Sequence, residues 1–335
     1  WWVELPGSAK MASLGFMIFG CGCEMEGTNV SKILAKWFKG KEMALAMGLE
    51  MAIARLGVFG VMWIAPLISE KFDNSILAPV GFCGALLVIG LINFIIFGIM
   101  DRKFDSQLVD AGLATAEKSP EDEFHISDLK AIFTSKMFWI VSLLCVLYYS
   151  AIFPFQRYAT NFLEETLAID AASAAKLFSC FPVLAMVMTP MLGIFLDRKG
   201  KGATMLMFGS IIMIVCHLSF AFILPAYPQK WFALLLIVVL GISFSLVPAA
   251  LWPSVPKIID EKILGSAYCL IFWVQNIGLC LVPMLIGSLR ASTGSYFVPM
   301  LVFSSFGVLA FILSIYLKAE DKKKGYGLEL PNISK

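Results

Sequence analysis

Residues 174–201 read AAKLFSCFPVLAMVMTPMLGIFLDRKGK. From Ala174 to Leu196 the only charge is Lys176, and these 23 residues exceed the ~20 that a helix needs to cross a ~30 Å hydrocarbon layer. The next five, Asp197-Arg198-Lys199-Gly200-Lys201, are charged residues and a glycine. A long apolar run closed by a basic turn reads as a spanning helix that ends at the cytoplasmic surface.

Eight further stretches pass the same test: Met11 to Trp37, Ala44 to Ile68, Ile76 to Met100, Met137 to Phe162, Ala203 to Leu224, Trp231 to Val255, Leu264 to Ile286 and Tyr296 to Leu317. The whole chain agrees: 59% of its 335 residues are hydrophobic and 15% charged, with a mean hydropathy of +0.83. Soluble domains are about 45–50% apolar and about 25% charged. The expectation is an all-α, multi-pass membrane protein with the lipid bilayer as its solvent.

Lys and Arg in the short loops set the orientation. With the start of the chain outside, eighteen fall in loops or tail assigned to the cytoplasm and four outside (Lys10, Lys71, Lys230, Arg290). The one long connection, Asp101 to Lys136, is rich in acids and carries a Ser119-Pro120 turn signal. Its end, Ile126 through Leu129, Ile132 and Phe133, has helical apolar spacing and reads either as a surface helix on the inner leaflet or as solvated linker. Four segments follow: residues 1–100 as a partial N-terminal bundle, 101–136 as cytoplasmic linker, 137–318 as a six-helix bundle and 319–335 as cytoplasmic tail.

Other functions are excluded on chemistry. A net charge of +2 cannot neutralise a nucleic-acid backbone. With His125 and His217 as the only histidines and no CxxC pair, neither a metal site nor a cofactor is expected. All eight cysteines lie inside apolar runs and read as small core residues. Neither a G-x-S-x-G elbow nor a metal cluster is present for an enzyme to use.

The stretch Gly193-Ile-Phe-Leu-Asp197-Arg198-Lys199-Gly200-Lys201 resembles the G-x-x-x-D-R-x-G-R/K signature of the major facilitator superfamily. Physically, a carboxylate at a helix end beside basic neighbours can bridge to the adjacent bundle and hold one gating state, so Asp197 and Arg198 are the gating candidates. A further likeness runs through Gly20-Cys-Gly-Cys-Glu24, Ala35-Lys-Trp37-Phe38-Lys39-Gly40-Lys41-Glu42, Ala54-Arg55-Leu56-Gly57, Tyr148-Tyr149, Phe153-Pro154-Phe155, Ala250-Leu251-Trp252-Pro253 and Gln275-Asn276-Ile277-Gly278. In order and over nearly the whole chain, these resemble the lysosomal dipeptide transporters of that superfamily. The resemblance implies a twelve-helix fold of two six-helix halves, of which the nine stretches here are helices four to twelve. It also implies that an acid on helix four and an arginine on helix five, Glu24 and Arg55, bind the ends of a peptide.

The residues lead to the same pair. Glu24 is the middle of Met11 to Trp37, and Arg55 is one residue from the middle of Ala44 to Ile68. A charge near the bilayer centre costs at least ~2.5–3.5 kcal/mol on insertion scales, so such residues line cavities or pair with one another. A zwitterionic peptide offers an ammonium and a carboxylate, and the guanidinium fork fits the latter. An ion pair clamping the two helices is the other reading. Tyr148, Tyr149, Trp273, Gln275 and Asn276 are candidates for the opposite wall, with core packing as their alternative.

The expected function is therefore a secondary transporter of dipeptides or similar small zwitterions, with or without a coupled proton. The alternatives are a membrane scaffold or accessory subunit, or a facilitator for another small solute. The lack of an N-x-S/T sequon on an outward loop favours a bacterial inner membrane over a lysosomal one.

Overall fold

The computed structural model describes residues 7–38, 42–73, 75, 77–110 and 126–333. Loop residues 39–41, with Lys39 and Lys41, and linker residues 111–125, with their acids, lie outside the described residues. Twelve α-helices follow in order: α1 Gly7–Phe38, α2 Met43–Lys71, α3 Leu77–Asp110, α4 Ile126–Thr134, α5 Lys136–Leu167, α6 Ala171–Phe178, α7 Cys180–Lys199, α8 Gly202–Leu218, α9 Leu224–Ala226, α10 Lys230–Ile258, α11 Leu264–Thr293 and α12 Phe297–Lys324.

Each of the nine expected spans is helical. Among the described residues, eight stretches are long and apolar enough to cross a membrane, from Met43–Val61 to Phe297–Lys324. α1 matches them in length at 32 residues while carrying Lys10, Glu24, Glu26, Lys32 and Lys36. The stretch from 174 to 196 is divided between α6 and α7 at Ser179. Pro182 has no N–H for the Phe178 carbonyl, which accounts for the interruption there. α3 continues past the expected end at Met100 through Asp101–Asp110.

Two compact units make up the chain. The smaller, Leu56–His125, contains the end of α2 and all of α3; an apolar groove of ≈ 330 Å³ between these helices is lined by Gly57, Gly60, Ile64, Phe82 and Leu86. The larger, Trp1–Arg55 with Ile126–Lys335, holds the core. Its centre is α5, against which α10, α11 and α12 pack, with α8 wedged between α10 and α12 and α1 lying along α11.

The described part of the linker's end, 126–134, is helical as α4. Ile132 is fully buried, Phe133 packs edge-on to Phe138, and the Trp139 indole donates to the Phe133 carbonyl at 2.8 Å, so α4 is docked on the start of α5. The cysteine reading needs correction. Cys145 and Cys216 are buried, but Cys21, Cys23, Cys269 and Cys280 lie on exposed helix faces. An apolar membrane face accepts a thiol as readily as a core does.

Backbone satisfaction explains one conspicuous contact. α10 contains Pro248, Pro253 and Pro256 yet remains helical. Pro256 leaves the Trp252 carbonyl without its helical donor. The Tyr268 hydroxyl of α11 donates to that oxygen at 3.2 Å, as a buried carbonyl in an apolar layer demands.

Candidate functional site

Arg55, on the first half of α2, is half-buried. Its Nη1 donates to the Met51 carbonyl one turn back at 3.0 Å, and its Cζ stands 4.6 Å from the centre of the Phe244 ring on α10. Stacking a guanidinium on an aromatic face partly replaces lost hydration while leaving the edge N–H groups available to a planar anion.

The ring beneath it belongs to a continuous aromatic wall. Phe244 meets Tyr149 edge-on at 6.4 Å and Phe153 at 5.9 Å, and stacks on Phe181 at 5.5 Å. Tyr149 stacks on Phe153 at 5.4 Å, and its hydroxyl accepts from the Trp252 indole at 3.0 Å. Trp252 in turn stacks on Phe272 at 4.7 Å. The electrostatic neighbours of the guanidinium are Tyr149 and Glu50.

Glu50 also lies within electrostatic reach of Glu26. With Cys23, Gly27, Ala46 and Ile53, the two acids line a groove of ≈ 600 Å³ between α1 and the first half of α2. Glu50 is about 140° around the helix from Arg55 at ~100° per residue.

The other expected wall residues divide. Tyr149 joins the Arg55 cluster. Tyr148, one residue and ~100° away, turns to α8, donating to the Leu206 carbonyl at 2.6 Å and sharing a 2.8 Å hydrogen bond with the Ser210 hydroxyl. Gln275 is buried, with its Oε1 accepting from the Cys145 thiol at 3.0 Å, while Asn276 is half-buried and donates to the Phe272 carbonyl of its own helix. Trp273 is 61% exposed and Glu24 lies on an exposed face of α1. Phe244 and Phe272 were not singled out in the sequence, where they are indistinguishable from packing aromatics, and Trp252 entered only as part of the Ala250–Pro253 stretch.

Asp197, 1% exposed at the end of α7, has a geometry that needs no basic partner. Its Oδ1 accepts the Ala44 N–H at 3.0 Å and its Oδ2 the Leu45 N–H at 2.8 Å. Those are first-turn donors of α2 that no helical carbonyl satisfies, and the helix dipole favours an anion there. Asn332 Nδ2 donates to Oδ1 at 2.7 Å. Gly193 makes this possible, since a Cβ on it would come within 2.6 Å of the Ala44 oxygen. Arg198 is exposed.

Among the described residues, twelve α-helices, eight stretches of spanning length and apolarity and an arginine over an aromatic wall define a polytopic helical membrane protein. The family model of the Major Facilitator Superfamily matches residues 2–283, and the chain belongs to that superfamily. It is 29% identical over 291 residues to the "Lysosomal dipeptide transporter MFSD1" of Bos taurus, covering 86% of this chain and 60% of that protein. To the protein of the same description from Danio rerio it is 28% identical, over 97% of this chain and 70% of that one. The "Nitrite extrusion protein" of Bacillus subtilis (strain 168) is more distant, at 22% identity over 59% of this chain and 49% of its own length. The chain thus spans about 60% to 70% of the length of the dipeptide transporters it matches.

Proposed function

We propose that this chain forms part of a secondary transporter that moves dipeptides, or zwitterions of similar size, by alternating access. The observation that carries this reading is Arg55: a guanidinium near the middle of α2, its Cζ over the Phe244 ring, with one of its five N–H groups on the Met51 carbonyl. A substrate carboxylate would take the fork, and the faces of Tyr149, Phe153 and Trp252 would contact its side chains. Glu24 is assigned to the substrate ammonium, with Gln275 and Asn276 as polar groups of the second half and Trp273 and Tyr148 at its margins. Asp197 then holds the cytoplasmic end closed by capping α2, Arg198 lies beside it at the surface, and opening requires breaking that cap. The likeness to vertebrate dipeptide transporters supports the substrate class, and the likeness to a bacterial nitrite extrusion protein leaves a small anion as the competing cargo.

Uptake of labelled dipeptide by liposomes holding the full-length protein tests this. Arg55→Ala should abolish uptake, and dipeptides with an amidated C-terminus should fail to compete, because the guanidinium would be left desolvated and unpaired. Amidated and free dipeptides competing equally would overturn the assignment. Nitrite or nitrate competing where dipeptides do not would favour the anion.

A further inference from the structure

We infer that the C-terminal segment Gly325–Ile333 is a latch that folds back over the α7–α8 turn, keeps the Asp197 cap of α2 dry, and must lift before this end of the protein can open. The opening step rests on the alternating-access reading above; the latch itself is a structural claim.

The segment is built to dock. Gly325, at φ 71°, ends α12 in the left-handed region and turns the chain back. Leu328, 2% exposed, is buried among the helix ends, and its N–H is held by the Asp321 carboxylate at 3.0 Å. The Leu328 and Glu329 carbonyls accept the N–H groups of Gly202 and Lys201, both at 3.0 Å. Lys257 reaches across from α10 and donates to the Gly327 and Leu330 carbonyls at 3.0 and 3.1 Å.

Glu329 supplies what α8 lacks. The N-cap residue of α8 is Lys201, at φ 70° and without a capping side chain. The Glu329 carboxylate takes its place, accepting the Thr204 N–H and hydroxyl at 2.8 Å each, with Lys318 3.8 Å away. The first turns of α2 and α8 therefore both receive carboxylates in trans, one from the motif and one from the tail.

The two caps are joined. Asn332 donates to Asp197 Oδ1, and the Ile333 N–H donates to the Asp197 carbonyl at 3.2 Å. Under the segment remains a cavity of ≈ 10 Å³, lined by Leu196, Gly200, Ser254, Leu328 and Asn332, about the size of one water. The motif glycine is part of the seat: Gly200 is at φ 72°, and a Cβ there would strike the Glu329 oxygen and sit 2.5 Å from the Leu330 carbonyl carbon. A charge-assisted hydrogen bond shielded from water is stronger than a wet one. Lifting the tail would therefore loosen α2 without touching it.

The test is hydrogen exchange on the full chain in detergent, comparing the unaltered protein with E329Q/N332A and with G200A. Amides of Lys201, Gly202 and Thr204 report the docking. Those of Ala44 and Leu45 report the cap, and lie on an element neither variant alters. The expected result is faster exchange in both sets, by at least about three-fold at Ala44 and Leu45, the loss of one modest hydrogen bond being worth that much. Faster exchange at residues 201–204 with Ala44 and Leu45 unchanged would show a surface strap with no hold on α2 and overturn the latch. Because the readout involves no substrate, absence of dipeptide uptake would count against the proposed function and leave this result standing.

Discussion

The two ends of the larger unit are secured by different chemistry. At the end bearing Asp197 and Glu329, buried or half-buried carboxylates accept backbone N–H groups of helices that begin there. At the opposite end, Arg290 on α11 meets Glu165 on α5 through Nη2, at 2.6 and 2.7 Å from the two carboxylate oxygens, and covers the Tyr296 ring at 4.7 Å. Those side chains are 25% and 43% exposed. A cap in a dry pocket breaks at the cost of orphaned donors, whereas an exposed pair exchanges its partner for water. The difference teaches that a buried carboxylate on main-chain N–H groups holds a helix end more firmly than an exposed side-chain pair joins two helices, because an uncapped first turn has no alternative partner of its own.

The largest effect should come from Asp197→Ala. It strands two first-turn N–H groups and should cost about 1–3 kcal/mol, read as a lower midpoint of thermal unfolding in detergent. Asp197→Asn, which keeps an acceptor, should recover part of the loss. Equal losses would show that charge rather than hydrogen bonding holds α2.

Glu165→Gln at the other end should cost no more than about 1 kcal/mol, and the difference from the unaltered protein should shrink between low and high salt. A loss as large as that of Asp197→Ala would erase the contrast between the ends.

The smallest effect belongs to Asp170, the N-cap of α6. Its carboxylate accepts the Ser173 hydroxyl at 2.7 Å and N–H at 2.9 Å. These bonds favour the ionised form and hold its pKa below the ordinary value. A depressed folded pKa gives a contribution that is present above the unfolded pKa and lost as pH falls through the folded one. Asp170→Asn should therefore flatten slightly the acid limb of a stability–pH profile and leave neutral pH nearly unchanged. A change confined to alkaline pH would contradict the cap.

Hydropathy made the spans legible, because ~20 apolar residues have few other uses. Arg55 stood out in the sequence as a charge in mid-span, and Asp197 as the acid of the G-x-x-x-D-R-x-G stretch. What the residues could not display was the identity of their partners. Asp197 binds main-chain N–H groups, which no side-chain pattern advertises, and Phe244 looks like any core phenylalanine until an arginine is found over it. Angle alone separates part of the site list: Tyr148 and Tyr149 are ~100° apart, and Trp273 and Gln275 ~200°, so the members of each pair leave their helix in different directions. The docking of α4 and of the tail depends on tertiary contacts between distant parts of the chain, which periodicity does not encode.

The hydroxyl of Tyr268 on the Trp252 carbonyl has a consequence for variation in this chain. Pro256 creates the unsatisfied oxygen and Tyr268 answers it, so positions 256 and 268 form one coupled choice. Phenylalanine at 268 should be damaging while proline stays at 256, yet nearly harmless once 256 carries an alanine, whose N–H would restore the helical bond. Twelve residues apart and on different helices, the two sites would drift together.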